Sequence, residues 1–116
     1  MFDTNELRSM KGLMNALVQR QQVLSNNLEN IETKNYVRQD IDFGKVLSEL
    51  KNAPSASGDG NESLLARARY RDYSKPMTLE SEMSKLYENH LRYLLMTKAI
   101  SHHFEHMKKA LEVRAT

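Results

Sequence analysis

Cysteine and tryptophan are absent from this sequence of 116 residues, which has four glycines and two prolines. The lack of cysteine excludes disulfide bonds and thiolate metal sites, and it leaves the redox compartment open. No run of about 18 apolar residues occurs, so the sequence predicts no membrane-spanning helix. The amino terminus also lacks the continuous apolar stretch of a cleavable signal, which favours a cytoplasmic protein.

An excess of charge of one sign is missing too. The 17 basic and 15 acidic side chains give a net charge of +2, which is too weak to draw the whole protein onto nucleic acid or an acidic membrane. No glycine-rich phosphate loop and no nucleophile–base pair are apparent, so we predict neither an enzyme nor a bound cofactor. The length and the share of 40% hydrophobic residues fit one folded domain.

A heptad pattern near the amino terminus predicts a long helix between about residues 4 and 31. Gln21 is its polar member, and Asp3 or Thr4 is a candidate cap. The predicted packing seam comprises Leu7, Met10, Met14, Leu17, Leu24, Leu28 and Ile31. Leu13, Val18 and Val23 lie off this seam, and we expect them to face other chains.

A second heptad pattern follows Pro76 and predicts a long carboxy-terminal helix with Thr78 as its N-cap. His90 and Thr97 are the polar members of a seam whose apolar members are Leu79, Met83, Leu86, Tyr93, Ile100, Phe104, Met107 and Leu111. One facing helix cannot cover all apolar side chains of this segment. We therefore predict an intersubunit apolar surface formed by Leu91, Leu94, Leu95 and Met96.

The residues between these helices predict smaller elements. The alternation in residues 37–43 indicates an extended segment, and Asp42 is a candidate cap for a short amphipathic helix. The apolar face of that helix is Phe43, Val46, Leu47 and Leu50. Residues 54–63 have the composition of a flexible loop, and residues 64–73 suit a short exposed strand or hairpin.

The predicted fold is mainly all-α. Residues 1–33 and 78–116 form an antiparallel coiled-coil pair of helices, and residues 34–77 form an extended, loop-containing middle region. Such a pair buries one stripe on each helix, so we expect self-association or assembly into a helical array. From the heptads alone, an ordinary helical hairpin or a homodimer is the preferred interpretation.

Two polar clusters permit a functional interpretation. His102 and His106, one helical turn apart and next to His103, have the spacing of a metal pair. They lack further ligands, which favours a solvated or intersubunit polar face, and we predict no metal. A second cluster, in which cations alternate with aromatic rings as in a nucleic-acid patch, is Arg67, Arg69, Tyr70, Arg71, Tyr73 and Lys75. The near-neutral charge of the chain favours a surface or loop role instead.

Three asparagines lie close together at the end of the first helix. Asn26 and Asn30 are one turn apart with Asn27 beside them, although asparagine is a poor helix former. They either cap the helix end or make contacts between subunits.

The segment SNNLENIETKNYVRQDIDF, from Ser25 to Phe43, resembles the amino-terminal motif of flagellar axial proteins, usually A-N-N-I-A-N-x-x-T-P-G-Y. Its continuation looks like that of the FlgB family of rod proteins, and residues 78–111 are similar to the last helix of that family. Lys34 and Asn35 replace the usual Pro and Gly, but asparagine tolerates a left-handed backbone, so the turn can still form. The residues that this resemblance assigns to the motif and to subunit contacts are Asn26, Asn27, Asn30, Thr33, Tyr36, Asp40, Asp42 and Phe43.

The resemblance implies a structural subunit of the proximal rod, the tube that transmits torque across the periplasm. It implies export through the flagellar type III apparatus without a cleaved signal, and a final location in the basal body. The implied partners are other copies of the chain, the rod adaptor FliE, the neighbouring rod protein FlgC and the membrane (MS) ring. From the residues alone, a coiled-coil adaptor and a helical nucleic-acid-binding homodimer stay as alternatives.

Overall fold

The computed structural model describes residues 5–52, 60–74 and 76–115. Its elements are α1 (Asn5–Glu29), β1 (Gln39–Ile41), α2 (Phe43–Asn52), α3 (Gly60–Ala68), β2 (Arg69–Arg71) and α4 (Leu79–Ala115). The molecule is elongated, with extents of 65 × 25 × 17 Å. The predicted fold class, with two long terminal helices around a small extended middle region, is confirmed.

The two long helices pack antiparallel. Residues late in α1 contact residues early in α4, since the Asn27 amide donates to Glu82. At the opposite end Glu6 of α1 lies 3.9 Å from the Nδ1 atom of His103. The chain therefore reverses its direction between the helices, and the middle region lies between them in sequence.

Three local predictions at the ends of the elements are confirmed. The Thr78 hydroxyl accepts a hydrogen bond from the N–H of Ser81 at 3.1 Å, which caps α4. The Asp42 carboxylate caps α2 in the same way, through the N–H of Lys45 at 3.1 Å. Asn35 has a φ of 64°, the left-handed conformation expected for the turn after α1. The candidate caps Asp3 and Thr4 lie outside the described residues.

The hydrophobic core lies between α1 and the middle region rather than along the two long helices. Its buried members are Leu13, Ala16, Val23, Ile41, Val46, Leu50, Leu64, Leu65 and Ala68. At Gly12 an added Cβ atom would stand 2.9 Å from Leu50 Cδ1, so the missing side chain lets α1 and α2 approach closely. The expectation that Leu13 and Val23 face other chains is wrong, because the middle region folds back and covers them.

The middle region forms more regular structure than the sequence predicts. Residues 60–63, assigned to a loop, begin α3, and residues 53–59 lie outside the described chain. The predicted strand is present only as β2, which pairs antiparallel with β1. Asp40 stands opposite Tyr70, and Gln39 and Ile41 stand opposite Arg71 and Arg69.

The predicted seam of α1 agrees with the structure better than that of α4. Leu7, Leu17 and Leu24 are buried, and the other α1 members are partly buried, as is Ile31, which follows the helix. In α4, Leu86, Ile100 and Met107 are partly buried, but the seam prediction is wrong for several exposed members: Leu79, Met83, Tyr93, Phe104 and Leu111.

The physical reason is that α4 turns a polar edge toward α1. Glu82 and Asn89, one heptad apart, are 0% and 1% exposed and occupy the positions nearest to α1. Hydrogen bonds hold them there, so the helix is rotated away from the apolar seam. The buried apolar face of α2 is also smaller than predicted, because Leu47 is exposed.

Candidate functional site

Six polar side chains are buried in the described part of the chain, and hydrogen bonds join them into one polar network. Its members come from α1, from β1 with the residue before it, and from α4: Arg20, Asn27, Arg38, Asp40, Glu82 and Asn89. Buried charges and amides are costly unless they are paired, so the geometry of this network decides whether it stabilises the fold.

Two bidentate ion pairs form the centre of the polar network. Arg20 donates from Nε to Asp40 Oδ1 at 2.7 Å and from Nη2 to Oδ2 at 3.3 Å. Arg38 donates from Nε to Glu82 Oε2 at 2.7 Å and from Nη2 to Oε1 at 3.3 Å. Arg38 Nη2 also lies 3.4 Å from Asp40 Oδ2 and so connects the pairs. Two positive and two negative groups therefore balance, in the geometry that arginine and carboxylate prefer.

Asn27 attaches both β1 and α4 to α1. Its amide nitrogen donates to the Gln39 carbonyl at 2.7 Å and to Glu82 Oε1 at 3.0 Å. Its oxygen accepts from the Gln39 N–H at 2.9 Å. With both main-chain groups of Gln39 bonded, the side chain of Asn27 takes the place of a neighbouring strand along the outer edge of β1.

The other motif residues stabilise the turn that follows α1. Asn30 donates from its amide to the Asn26 carbonyl at 2.8 Å, and the Thr33 hydroxyl donates to Asn30 Oδ1 at 3.0 Å. Tyr36 reaches Asn27 Oδ1 with its hydroxyl at 3.5 Å. The capping interpretation therefore describes Asn30, whereas Asn26 is exposed.

Asn89 fixes the middle of the helix pair. Its amide nitrogen donates to the Leu17 carbonyl at 2.9 Å and to Gln21 Oε1 at 3.0 Å. Its oxygen lies 3.5 Å from Arg20 Nη1. Polar groups at single positions of a helix pair specify its register, because a shifted partner would leave them buried without hydrogen bonds.

The ionisation of the polar network follows from its geometry. Burial alone would raise the pKa of Asp40, but the hydrogen bond and charge of Arg20 outweigh it and hold that pKa below its usual range. Burial would lower the pKa of Arg38, and the hydrogen bond and charge of Glu82 raise it above its usual value instead. Asp72, at the exposed rim, has its pKa lowered by hydrogen bonds from Ser74 and by Arg38. The buried charges of the polar network are thus paired within the chain, which fits a structural role.

Outside this polar network, α4 exposes a row of large apolar side chains, which are spaced three or four residues apart as far as Leu94 and end with the adjacent Leu95. We call this row the outer apolar face of α4: Met83, Tyr87, Leu91, Leu94 and Leu95, of which Leu95 is 68% exposed. Met96, predicted to belong to an intersubunit surface, instead packs partly buried against the core. Arg92 stacks over the Phe43 ring at 5.3 Å and ties α4 to α2.

A groove of about 390 Å³ runs beside the outer apolar face, between α1 and α4. It is lined by Leu17, Val18, Gln21, Gln22, Asn89, His90 and Tyr93. Val18 and Tyr93 are exposed, and the groove continues the apolar surface of α4 onto α1.

The remaining candidates are dispersed. His102 and His106 are exposed, while His103 faces Glu6. In the ranges that the structure describes, no group of three or more histidine and carboxylate side chains is placed to hold a metal. No described helix is both long enough and apolar enough to cross a membrane.

In the cluster of cations and aromatic rings at residues 67–75, some arginines bond to neighbouring side chains. Arg67 pairs with Glu49 at 3.0 Å, and Arg69 donates to Gln39 Oε1 at 2.8 Å. Lys75, the other cation assigned to this cluster, lies outside the described residues.

The sequence analysis did not predict the roles of Arg20, Arg38, Glu82 and Asn89 in this network. A signal was available. Arg20 and Asn27 are one heptad apart, as are Glu82 and Asn89, so in an antiparallel pair each polar residue of one helix meets one of the other.

No protein-family model matches this chain. Its curated relatives include the flagellar basal body rod protein FlgB of Yersinia enterocolitica, 36% identical over 64 residues, which cover 55% of this chain and 47% of that protein. FlgB of Yersinia ruckeri is 33% identical over the same length and coverage. FlgB of Bacillus subtilis is 24% identical over 119 residues, covering 89% of this chain and 92% of that protein.

The match spans about half the length of the two Yersinia relatives and nearly all of the Bacillus relative. This chain is thus similar to flagellar basal body rod proteins.

Proposed function

We propose that this chain is a structural subunit of the bacterial flagellar basal-body rod and assembles with its neighbours by helix packing. The similarity to three rod proteins supports this role. So does the elongated pair of terminal helices. In the proximal rod such a subunit transmits torque across the periplasm and contributes to motility without catalysing a reaction.

The observation that carries the proposal is the reversed polarity of α4. Its most deeply buried residues are Glu82 and Asn89, whereas Met83 is 55% and Leu94 47% exposed. A helix of a monomeric protein normally turns its apolar stripe inward, and a continuous exposed apolar surface marks an interaction site. The outer apolar face of α4 is therefore available to pack against other subunits.

The two sides of α4 therefore have different roles. The polar network holds α4 against α1 in one register, and the apolar side chains are left for contacts between chains. We propose that four further exposed apolar residues of α4 take part: Leu79, Tyr93, Phe104 and Leu111. Among the motif residues, the exposed Asn26, Thr33 and Asp42 are candidates for subunit contacts.

The proposed partners are other copies of this chain, the rod adaptor FliE, the neighbouring rod protein FlgC and the MS ring. The proposed route is export through the flagellar type III apparatus without a cleaved signal, which leads to the basal body. A coiled-coil adaptor that forms a small closed oligomer is the competing function, and it predicts no growth into tubes.

Substitutions on α4 test the proposal. We expect Leu94→Asp or Phe104→Asp to leave the purified chain helical, because both residues are about half exposed. Assembly should fail, since the new charge would be buried between subunits without a partner. Tyr73→Asp is the matched control, because Tyr73 is 74% exposed and lies outside α4.

The readout is complementation of a strain lacking the gene, with motility and electron microscopy of its basal bodies. The proposal requires rods from the Tyr73 variant and none from the α4 variants. Normal rods from both α4 variants would contradict it.

A further inference from the structure

Strand β2 has one edge that no described strand covers. The sheet consists of β1 and β2 alone in the described ranges. Hydrogen bonds at 2.9 Å run from the Asp42 N–H to the Ala68 carbonyl and from the Asp72 N–H to the Arg38 carbonyl. In antiparallel pairing bonded and non-bonded residue pairs alternate, so the main-chain groups of Arg69 and Arg71 point away from β1.

The outer edge of β1 is closed in a different way. Asn27 bonds both main-chain groups of Gln39, and the Ile41 N–H donates to the Asp40 carboxylate at 2.7 Å. A third strand on that side would have to displace a buried side chain. The edge of β2 is the accessible one, because all three of its residues are exposed.

The side chains of β2 define the partner that fits this edge. Arg69 and Arg71 share one face of the strand, since alternate residues point the same way, and Tyr70 lies on the other face. Both arginines would stand beside the same face of an added strand, and charge complementarity favours acidic residues there. Tyr70 is 45% exposed and would contact an apolar residue on the opposite face.

We propose that the outer edge of β2 binds an extended acidic segment of a partner protein as a third strand, with acidic residues toward Arg69 and Arg71 and apolar ones toward Tyr70. Main-chain hydrogen bonds would provide affinity and the alternating side chains specificity, as in other cases of strand addition. The inference does not depend on the rod assignment, because it uses a surface on the middle region and not on α4.

The test uses the full chain and a fluorescein-labelled peptide of alternating glutamate and valine, measured by fluorescence anisotropy. We expect saturable binding that weakens as salt is added. A peptide of the same sequence with N-methyl groups along its bonding edge should bind about tenfold more weakly, because it cannot donate to the strand.

Variants at the edge separate charge from hydrogen bonding. Arg71→Gln should weaken binding about fivefold through loss of charge. Arg71→Pro should weaken it further, because proline also removes the outward N–H while leaving the bonds to β1 in place. Arg67→Gln removes an equal charge beside the strand, from a residue already paired with Glu49, and should leave binding nearly unchanged.

Circular dichroism of each variant establishes that the fold is retained. The proposal is overturned if no binding is seen, or if the N-methylated peptide binds as tightly as its parent. Equal effects of Arg67→Gln and Arg71→Gln would indicate diffuse charge attraction instead. An oligonucleotide that displaces the peptide and binds more tightly would reassign the surface to nucleic acid.

Discussion

Replacing Glu82 by alanine removes the carboxylate at which three elements meet. Glu82 is fully buried and accepts hydrogen bonds from Asn27 and twice from Arg38. Without it, the guanidinium of Arg38 stays buried with Asp40 at 3.4 Å and Asp72 at 3.1 Å as its acidic neighbours. Neither replaces the bidentate pair, so part of the desolvation cost of Arg38 is left without compensation.

The expected cost is large compared with the stability of a small domain. Removal of one partner of a buried ion pair costs about 3–5 kcal/mol, and we expect the lower end because two carboxylates stay near Arg38. Glu80→Ala is the matched control, since Glu80 lies in the same first turn of α4 but is exposed. Its loss should change the free energy of unfolding by roughly 0.5 kcal/mol.

The assay is urea unfolding near pH 7, followed by circular dichroism, at a concentration where the chain sediments as a monomer. The double variant Glu82→Leu with Arg38→Met should lose less stability than Glu82→Ala alone, because it removes both charges. If Glu82→Ala and Glu80→Ala had equal effects, the polar network would not hold α4 in place.

Three further predictions concern other parts of the fold. Asp40 has a lowered pKa, so its contribution to stability is present above the unfolded pKa of about 4 and is lost as pH falls through the folded pKa. The difference in the free energy of unfolding between Asp40→Asn and the unchanged chain should therefore decrease as the pH falls below about 4. A difference that stays constant with pH would refute this. Gly12→Leu should cost about 1–3 kcal/mol or more by overpacking against Leu50, whereas Gly44→Ala, at an exposed helix position, should be nearly neutral. Equal midpoints in urea would disprove close packing there. Thr78→Ala should cost about 1 kcal/mol through loss of the cap of α4, and an unchanged thermal midpoint would disprove the cap.

The sequence predicted those features that depend on local chemistry. The caps at Asp42 and Thr78 were predictable because a short oxygen-bearing side chain precedes each helix. The left-handed turn at Asn35 was predictable because asparagine tolerates that conformation. The buried positions of Leu17 and Leu24 follow from the heptad pattern of α1.

Features that depend on contacts distant in sequence were not predicted. In the heptad repeat of α4, a set of polar positions lies one residue away from the set of apolar positions. A prediction from hydrophobic periodicity selects the apolar set as the buried one. Glu82 and Asn89 face α1 because Arg38 and Arg20 meet them there, and both arginines come from distant parts of the chain. Hydrophobic pattern alone carries no information on such buried pairs.

The same limit applies to the middle region. In the alternating pattern of residues 37–43, Arg38 and Asp40 belong to the polar face of an extended segment, yet they are 4% and 3% exposed. An alternating pattern normally places its polar side in solvent. Here the polar face of β1 is covered by α1 and α4, which present compensating charges.

The rod assignment is tested most directly by deleting the gene in its source bacterium and imaging the isolated basal bodies by electron microscopy. We predict membrane rings without a rod, and restoration of the rod when the intact chain is supplied. Intact rods and motile flagella in the deletion strain would contradict the assignment and leave the adaptor function as the better explanation of the outer apolar face.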